Sequence, residues 1–118
     1  MNVTTHLART PEPPYYTVIF TSLRTPDDRG YAAMADRMVE LAAQQDGFLG
    51  VDSVRDANGV GITVSYWRDE ASIQRWKRHT EHQGAQKAGQ ATWYSDYQVR
   101  IAKVDRAYGN VGNLSSIG

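Results

Sequence analysis

Residues 47–67 read GFLGVDSVRDANGVGITVSYW, and this stretch decides the fold. Its two halves, residues 48–55 and 60–67, are rich in β-branched and aromatic residues, which favour strands. Between them, residues 56–59 read Asp-Ala-Asn-Gly, which is typical of a turn because Asn and Gly tolerate a positive φ. The stretch therefore predicts a β-hairpin.

A helix pattern lies on each side of this hairpin. Before it, apolar residues from Tyr31 to Ala42 recur at spacings of three and four, and Asp46-Gly47 ends the pattern. Thr25 is expected to cap this helix with Pro26 at its first position, giving about five turns. After the hairpin, Asp69 is expected to cap a second helix that runs to about Thr80.

Strands are predicted at both ends of this arrangement. Residues 15–23, YYTVIFTSL, have apolar side chains on both faces, and residues 97–108 form the last strand. The order β-α-β-β-α-β predicts an α+β, ferredoxin-like fold, in which an antiparallel sheet carries both helices on one face. The other face is also apolar and must be covered. We therefore expect a homodimer, with two sheets packed face to face in a dimeric α/β barrel.

The domain bounds follow from composition. Residues 1–14 contain three prolines and are predicted to be a flexible N-terminal arm. Residues 15–108 are expected to form the domain, and residues 109–118, rich in Gly, Ser and Asn, a flexible tail. The N-terminus has no secretory signal pattern, so a cytoplasmic location is expected.

Charge and cysteine content exclude several classes of function. The 118 residues include 13 Lys and Arg, 13 Asp and Glu and no cysteine, so the formal net charge is zero. A thiolate metal site and a cysteine nucleophile are impossible. The even charge argues against a nucleic-acid partner, and no apolar run is long enough to span a membrane.

Residues 66–97 hold six of the ten Trp and Tyr residues and two of the three histidines. On a continuous helix Arg75, His79 and His82 share one face, which could hold an anion and move a proton. No third ligand stands at a defined spacing from the two histidines, so no metal site is predicted. Structural roles are the alternatives: a solvated helix end for His79, and core packing for Trp76. Subunit-interface contacts are the alternative for Trp67, Trp93 and Tyr94.

Four stretches resemble one known family. They are VIFTSLR at 18–24, GFLGVDSVR at 47–55, GITVSYWRDEASIQRW at 61–76 and EHQGAQKAGQATWYSDYQVRIAKVDRAYG at 81–109. Together they make the chain similar to the antibiotic biosynthesis monooxygenases, a family of dimeric α+β barrels. The resemblance implies an oxidoreductase that oxidises a small planar phenolic or quinol-like compound with molecular oxygen and needs no cofactor, because the deprotonated substrate itself reduces oxygen.

The resemblance also implies roles for the residues of this region. The catalytic candidates are His82, which would take or return the proton, together with Trp76 and Arg75. Substrate-binding candidates are Tyr66, Trp67, His79, Trp93 and Tyr94, with Arg75 or Tyr66 stabilising the substrate anion.

Two other functions remain open at this point. Such a barrel could bind a small molecule without turnover. The superfamily also includes haem-degrading proteins, whose tryptophan Trp76 matches. Ten residues after Trp76, however, this chain has Gln86, which cannot serve as the axial imidazole, and its first strand contains no Asn.

Overall fold

Two helices and four strands of the described residues follow the order β-α-β-β-α-β, which confirms the predicted ferredoxin-like α+β fold. The computed structural model describes residues 7–83 and 92–109, with only the backbone for 81–83. Gln86 and the tail from residue 110 lie outside this part. The elements are β1 Tyr15–Arg24, α1 Tyr31–Ala43, β2 Phe48–Arg55, β3 Val60–Trp67, α2 Glu70–Gln83 and β4 Tyr94–Val104.

The sheet is antiparallel, with the strand order β2-β3-β1-β4. Side chains alternate between faces along a strand, so paired residues share a face. Tyr16 pairs with Trp67, and Val18 pairs with Ile101. Because Tyr16 and Val18 pack with the helical core residues, we call their side of the sheet the helix side and the other the open face.

The core lies between the helices and strands β1 to β3. Ala42 of α1, Trp67 of β3 and Ile73 of α2 are all buried, and Trp67 has no exposed surface. Phe48 and Trp76 pack against these residues from β2 and α2. The predicted alternation along β3 and the apolar stripe of α2 therefore place Trp67, Ile73 and Trp76 in or against the core.

The start of α1 differs from the prediction. The N-cap is Gly30, at φ 74°, and no side chain caps the helix. Thr25, the expected cap, instead donates from its hydroxyl to the carbonyl of Thr92 at 2.7 Å. Pro26 therefore precedes the helix, and α1 has 13 residues rather than about five turns. The same hydroxyl accepts from the N–H of Asp27 at 3.3 Å, but that bond lies before α1, so Thr25 joins this loop to residue 92 and does not cap the helix.

The loop between α1 and β2 is fastened to the start of α2. Asp69 accepts hydrogen bonds from the backbone N–H and hydroxyl of Ser72, which confirms its predicted capping role. These bonds lower the pKa of Asp69 to about 2. Asp46 accepts two bonds from Arg68 at 3.1 Å, and Gly47 takes the predicted left-handed conformation at φ 90°.

Two other element bounds also differ. β4 begins at Tyr94 and ends at Val104, whereas the predicted strand spans residues 97–108. Tyr94 joins the sheet through a register shift opposite Arg24, which sequence alternation does not reveal. α2 continues past Thr80 to Gln83. Neither helix of the described residues is long and apolar enough to cross a bilayer.

Residues 7–14 of the predicted arm lie against one end of the open face. The backbone N–H of Ala8 donates to Asp52 at 2.8 Å, and the hydroxyl of Thr10 donates to that of Tyr15. Asp52 also accepts a 2.8 Å bond from Tyr66, and burial together with this bond raises the pKa of Tyr66 to about 12. The absence of a side chain at Gly50 leaves room for Ala8.

Candidate functional site

Three aromatic rings stack outward from the core on the helix side of the sheet, in the order Trp67, Trp76 and His79. The ring of Trp76 lies 5.9 Å from that of Trp67, with 28° between the planes, and 5.7 Å from that of His79, with 17°. Trp67 donates its indole N–H to Ser65 at 2.9 Å and is fully buried. It therefore supports Trp76 from beneath and has no surface of its own for a ligand.

The outer member of this stack, His79, carries an unsatisfied ring nitrogen. Its Nε2 is buried and has no hydrogen-bond partner among the described residues. Leaving such a group unpaired costs about 1 to 3 kcal/mol. A ligand group that reached this nitrogen and hydrogen-bonded to it would recover that cost, so His79 is the candidate polar group of this stack.

Exposed apolar side chains of β4 and partly buried ones of β1 form a second feature on the helix side, which we call the helix-side patch. Its members are Val18, Phe20, Tyr97, Val99 and Ile101. Val99 and Ile101 are each about half exposed, at 51% and 50%. Cross-strand pairing sets Val18 beside Ile101 and Phe20 beside Val99. The patch thus runs along β1 and β4, and Val18 at one end packs on the same core residues as Trp76.

Polar side chains stand at the other end of the patch. Arg55 donates to the hydroxyl of Ser22 at 2.9 Å and to that of Tyr31 at 3.2 Å. Tyr94 donates to the same Tyr31 hydroxyl at 3.3 Å, and its ring lies 5.3 Å from that of Phe20. Burial and the bond to Tyr31 hold the pKa of Tyr94 above its ordinary value, so its phenol stays protonated at neutral pH.

Trp93 packs beside the polar end of the patch, against the start of α1. Its indole donates to the carbonyl of Arg29 at 2.8 Å, and its ring packs edge-on against Tyr31. The carbonyl of Trp93 accepts bonds from Thr25 and from the guanidinium of Arg24, which lies 3.4 Å above the Tyr31 ring. Trp93 therefore fixes the start of α1 to the start of β4.

Three of the predicted site residues are not found in the ring stack or in the helix-side patch. Two lie elsewhere, and the side chain of the third is outside the described part of the chain. Arg75 is exposed, donates to Ser72 and lies 3.7 Å from Asp46, at the loop before β2. Tyr66 lies on the open face, with the sheet between it and Trp76. His82 belongs to α2, and its side chain lies outside the described part of the chain.

A groove of about 370 Å³ lies beside the polar end of the patch. Arg24, Arg55 and the β2–β3 turn line it, whereas Trp76 and His79 do not. Within residues 7–83 and 92–109, no three His, Asp or Glu side chains come together as a metal site.

Sequence reasoning missed Arg55, Tyr31 and Ser22. Arg55 shares the helix side with Ser53, which bonds to Thr63 across the hairpin. The sequence did carry one signal for Arg55: it is a charged residue at a strand position that faces the helix side. No local pattern links these three side chains, because they come from β2, α1 and β1.

Comparisons with known proteins agree with this fold. The chain is similar in structure to a mutant form of SnoaB, a cofactor-independent oxygenase from Streptomyces nogalater, with a TM-score of 0.67 at 13% identity. The match covers 79% of this chain and 95% of that one. PA3566 from Pseudomonas aeruginosa gives a TM-score of 0.62 at 21% identity, over 81% and 97% of the two chains. At these identities the likeness shows the fold alone.

Sequence comparisons identify the family. The chain is 59% identical over 100 residues to the uncharacterized protein YqjZ of Bacillus subtilis strain 168, covering 85% of this chain and 88% of YqjZ. It is 29% identical over 92 residues to the jasmonate monooxygenase ABM of Pyricularia oryzae, covering 75% of this chain and 43% of that protein. The family model described as antibiotic biosynthesis monooxygenase matches residues 14–88. The chain therefore belongs to the antibiotic biosynthesis monooxygenase family.

Proposed function

We propose that this chain is a cofactor-independent monooxygenase that acts on a small planar phenolic or quinol-like compound. The observation that carries the proposal is the stack of His79 on Trp76, with a buried Nε2 that has no partner among the described residues. Family membership supports the reaction type, as do the relatives named as a cofactor-independent oxygenase and a jasmonate monooxygenase. The helix-side patch offers an apolar surface for a planar ring.

His79 is assigned the proton transfer in this reaction. A neutral imidazole accepts a proton near neutral pH, and a phenol that hydrogen-bonds to Nε2 would give up its proton there. Stacking on the flat face of Trp76 orients the plane of the imidazole ring. His82, three residues further along α2, remains the second candidate for this role.

The substrate supplies the electrons. The phenolate passes one electron to oxygen, and the resulting substrate radical and superoxide combine to form a C–O bond at a ring carbon. The O–O bond then breaks, one oxygen atom stays on the ring as a carbonyl and the other leaves as water. A C–H carbon becomes C=O, so the substrate provides all the electrons that oxygen takes up.

Oxygen consumption tests the proposal directly. In an oxygen electrode, purified protein with a panel of quinols of one to three fused rings is expected to consume oxygen above the non-enzymatic rate. Replacing His79 by Ala is expected to lower kcat by about 10²- to 10⁴-fold, as is typical for loss of a proton-transfer group. Lys77→Ala, an exposed change on the same helix, should leave the rate within about two-fold.

Two results would count against this assignment. A loss of activity in His82→Ala but not in His79→Ala would move the proton transfer to His82. Failure of every quinol to raise oxygen uptake above background would overturn the oxygenase function. If the same quinols then quenched tryptophan fluorescence strongly, the chain would be a small-molecule-binding protein without turnover.

We also propose that the active form is a homodimer. Leu23, Val54, Val60 and Ile62 are exposed together on the open face, with Val54 at 70%. A contiguous apolar surface of this kind marks an interaction site. A second copy of the sheet is the occupant that fits, because it would present the same apolar residues in return.

Sedimentation equilibrium measures this association. We expect a mass twice the 13.2 kDa of the chain at micromolar concentration, and a monomer for Ile62→Glu, since that change places a charge in the apolar interface. Val39→Glu, an exposed position on α1, is the matched control and should stay dimeric. A wild-type mass of 13.2 kDa would exclude the dimer.

A further inference from the structure

Arg55 is a half-buried cation whose charge is not neutralised. It forms no ion pair with a carboxylate among the described residues, whereas Arg24, Arg29, Arg68 and Arg75 all do. Its hydrogen bonds go to neutral acceptors: the carbonyl of Gly59 and two hydroxyls. A guanidinium has five N–H donors in a fixed planar arrangement that matches carboxylates and similar anions. Arg55 therefore has both the charge and the donors for an anionic ligand.

The hydroxyl of Tyr31 also has a donor to offer. Both Arg55 and Tyr94 donate to its oxygen, so its lone pairs are used while its own proton has no acceptor among the described residues. Arg24 above the ring holds Tyr31 in place. The Tyr31 O–H and the two remaining N–H groups of Arg55, one on Nε and one on Nη1, are thus the donors that this end of the patch can offer to a ligand.

This donor cluster stands at the end of an apolar surface. Along β1, Val18 and Phe20 pair with Ile101 and Val99, and the next pair on the same side is Ser22 with Tyr97. Ser22 is the residue whose hydroxyl accepts from Arg55. The surface from Ile101 to Tyr97 spans five residues of an antiparallel strand, whose four steps cover roughly 13 Å. Its character changes from apolar to cationic along that length.

We propose that Arg55 and Tyr31, with Tyr94 behind them, bind an anionic oxygen of the substrate, and that this oxygen determines which planar aromatic compounds the protein accepts. The inference rests on the proposed function for the identity of the ligand as a substrate. This oxygen is not the hydroxyl that gives its proton to His79 but belongs to a second group of the substrate, a phenolate or a carboxylate, which share the chemistry that Arg55 recognises. The ring lies on the helix-side patch, with its charged end at Arg55.

Ligand binding under anaerobic conditions tests this without requiring turnover. Tryptophan fluorescence would compare 2-hydroxy-1,4-naphthoquinone, which is an anion at neutral pH, with its neutral 2-methoxy ether. A second arm would compare 2-naphthoate with 2-naphthamide. We expect at least one anion to bind about ten-fold more tightly than its neutral partner, and the arm that shows this identifies the source of the oxygen.

Two variants locate the effect. Arg55→Met and Tyr31→Phe are each expected to weaken binding of the anion about ten-fold and to change binding of the neutral compound less than two-fold. Unchanged binding of the neutral compound also shows that the variant is folded. Arg37→Met is the matched control, because Arg37 is an exposed arginine of α1 and lies on neither the helix-side patch nor the open face.

Outcomes of this experiment separate the two proposals. Equal binding of anions and neutral partners in both arms, or an equal effect of Arg37→Met, would overturn the role of Arg55 and Tyr31. Selective anion binding that depends on Arg55, without oxygen uptake from any quinol, would support this inference and overturn the oxygenase function.

Discussion

Replacing Trp67 by alanine is expected to lower the free energy of unfolding by about 3 to 5 kcal/mol, the range for large-to-small changes of buried aromatic residues. Trp67 has no exposed surface and contacts Phe48 edge-on and Trp76 in a stack. The cavity would lie in the middle of the core, between β3 and α2. Folded domains have only about 5 to 15 kcal/mol of stability, so much of it would be lost.

Urea denaturation followed by far-ultraviolet circular dichroism measures this loss. Tyr108→Ala is the control, since Tyr108 is 74% exposed and should change the stability by less than about 0.5 kcal/mol. Trp67→Phe should lie between the two, because it keeps an aromatic ring and loses the bond to Ser65. A loss below about 1 kcal/mol for Trp67→Ala would contradict the central position of this ring.

Gly47→Ala is expected to cost about 2 to 5 kcal/mol, for two separate reasons. The left-handed conformation at φ 90° is unfavourable for alanine by about 1 to 2 kcal/mol. A Cβ at this position would also collide with the hydroxyl of Ser72, so the loop or α2 must move, at a further cost of about 1 to 3 kcal/mol.

A matched variant separates the two causes. Gly30→Ala has a similar φ of 74°, but the nearest atom to its Cβ would be Trp93 at 3.6 Å, an ordinary contact. It should therefore lose only the backbone contribution. The double variant Gly47→Ala/Ser72→Gly should recover part of the loss by removing the clash. Equal urea midpoints for Gly47→Ala and Gly30→Ala would show that Ser72 is not in the way.

Much of the fold could be predicted from local patterns. The bounds of β2 and β3 agree with the sequence prediction, because the strand residues and the turn at 56–59 both lie within one short stretch. The start of α1 could not be predicted in the same way. Thr25 has the right chemistry for a cap, but the carbonyls of Thr92 and Trp93 bind it instead, and no local rule contains that contact.

The candidate site was also predicted only in part, because local patterns reveal contacts within one element but not contacts between distant elements. Periodicity along α2 places Trp76 and His79 together, since both lie on one helix. It also favours Arg75 as their companion, but the side chain of Arg75 lies near Asp46 in the loop before β2. Tyr66 and Trp67 are neighbours in sequence and lie on opposite faces of the sheet, as strand alternation requires.

The position of β1 between β3 and β4 has a consequence for how the molecule assembles. The hydrogen bond between Ser53 and Thr63 closes a separation of 10 residues, whereas that between Thr17 and Ala102 closes 85. Loop-closure entropy makes the longer closure costlier by about 2 kcal/mol. The hairpin can therefore form early and locally, while the helix-side patch requires both ends of the domain to meet. Any substrate surface there exists only once β1 and β4 have paired.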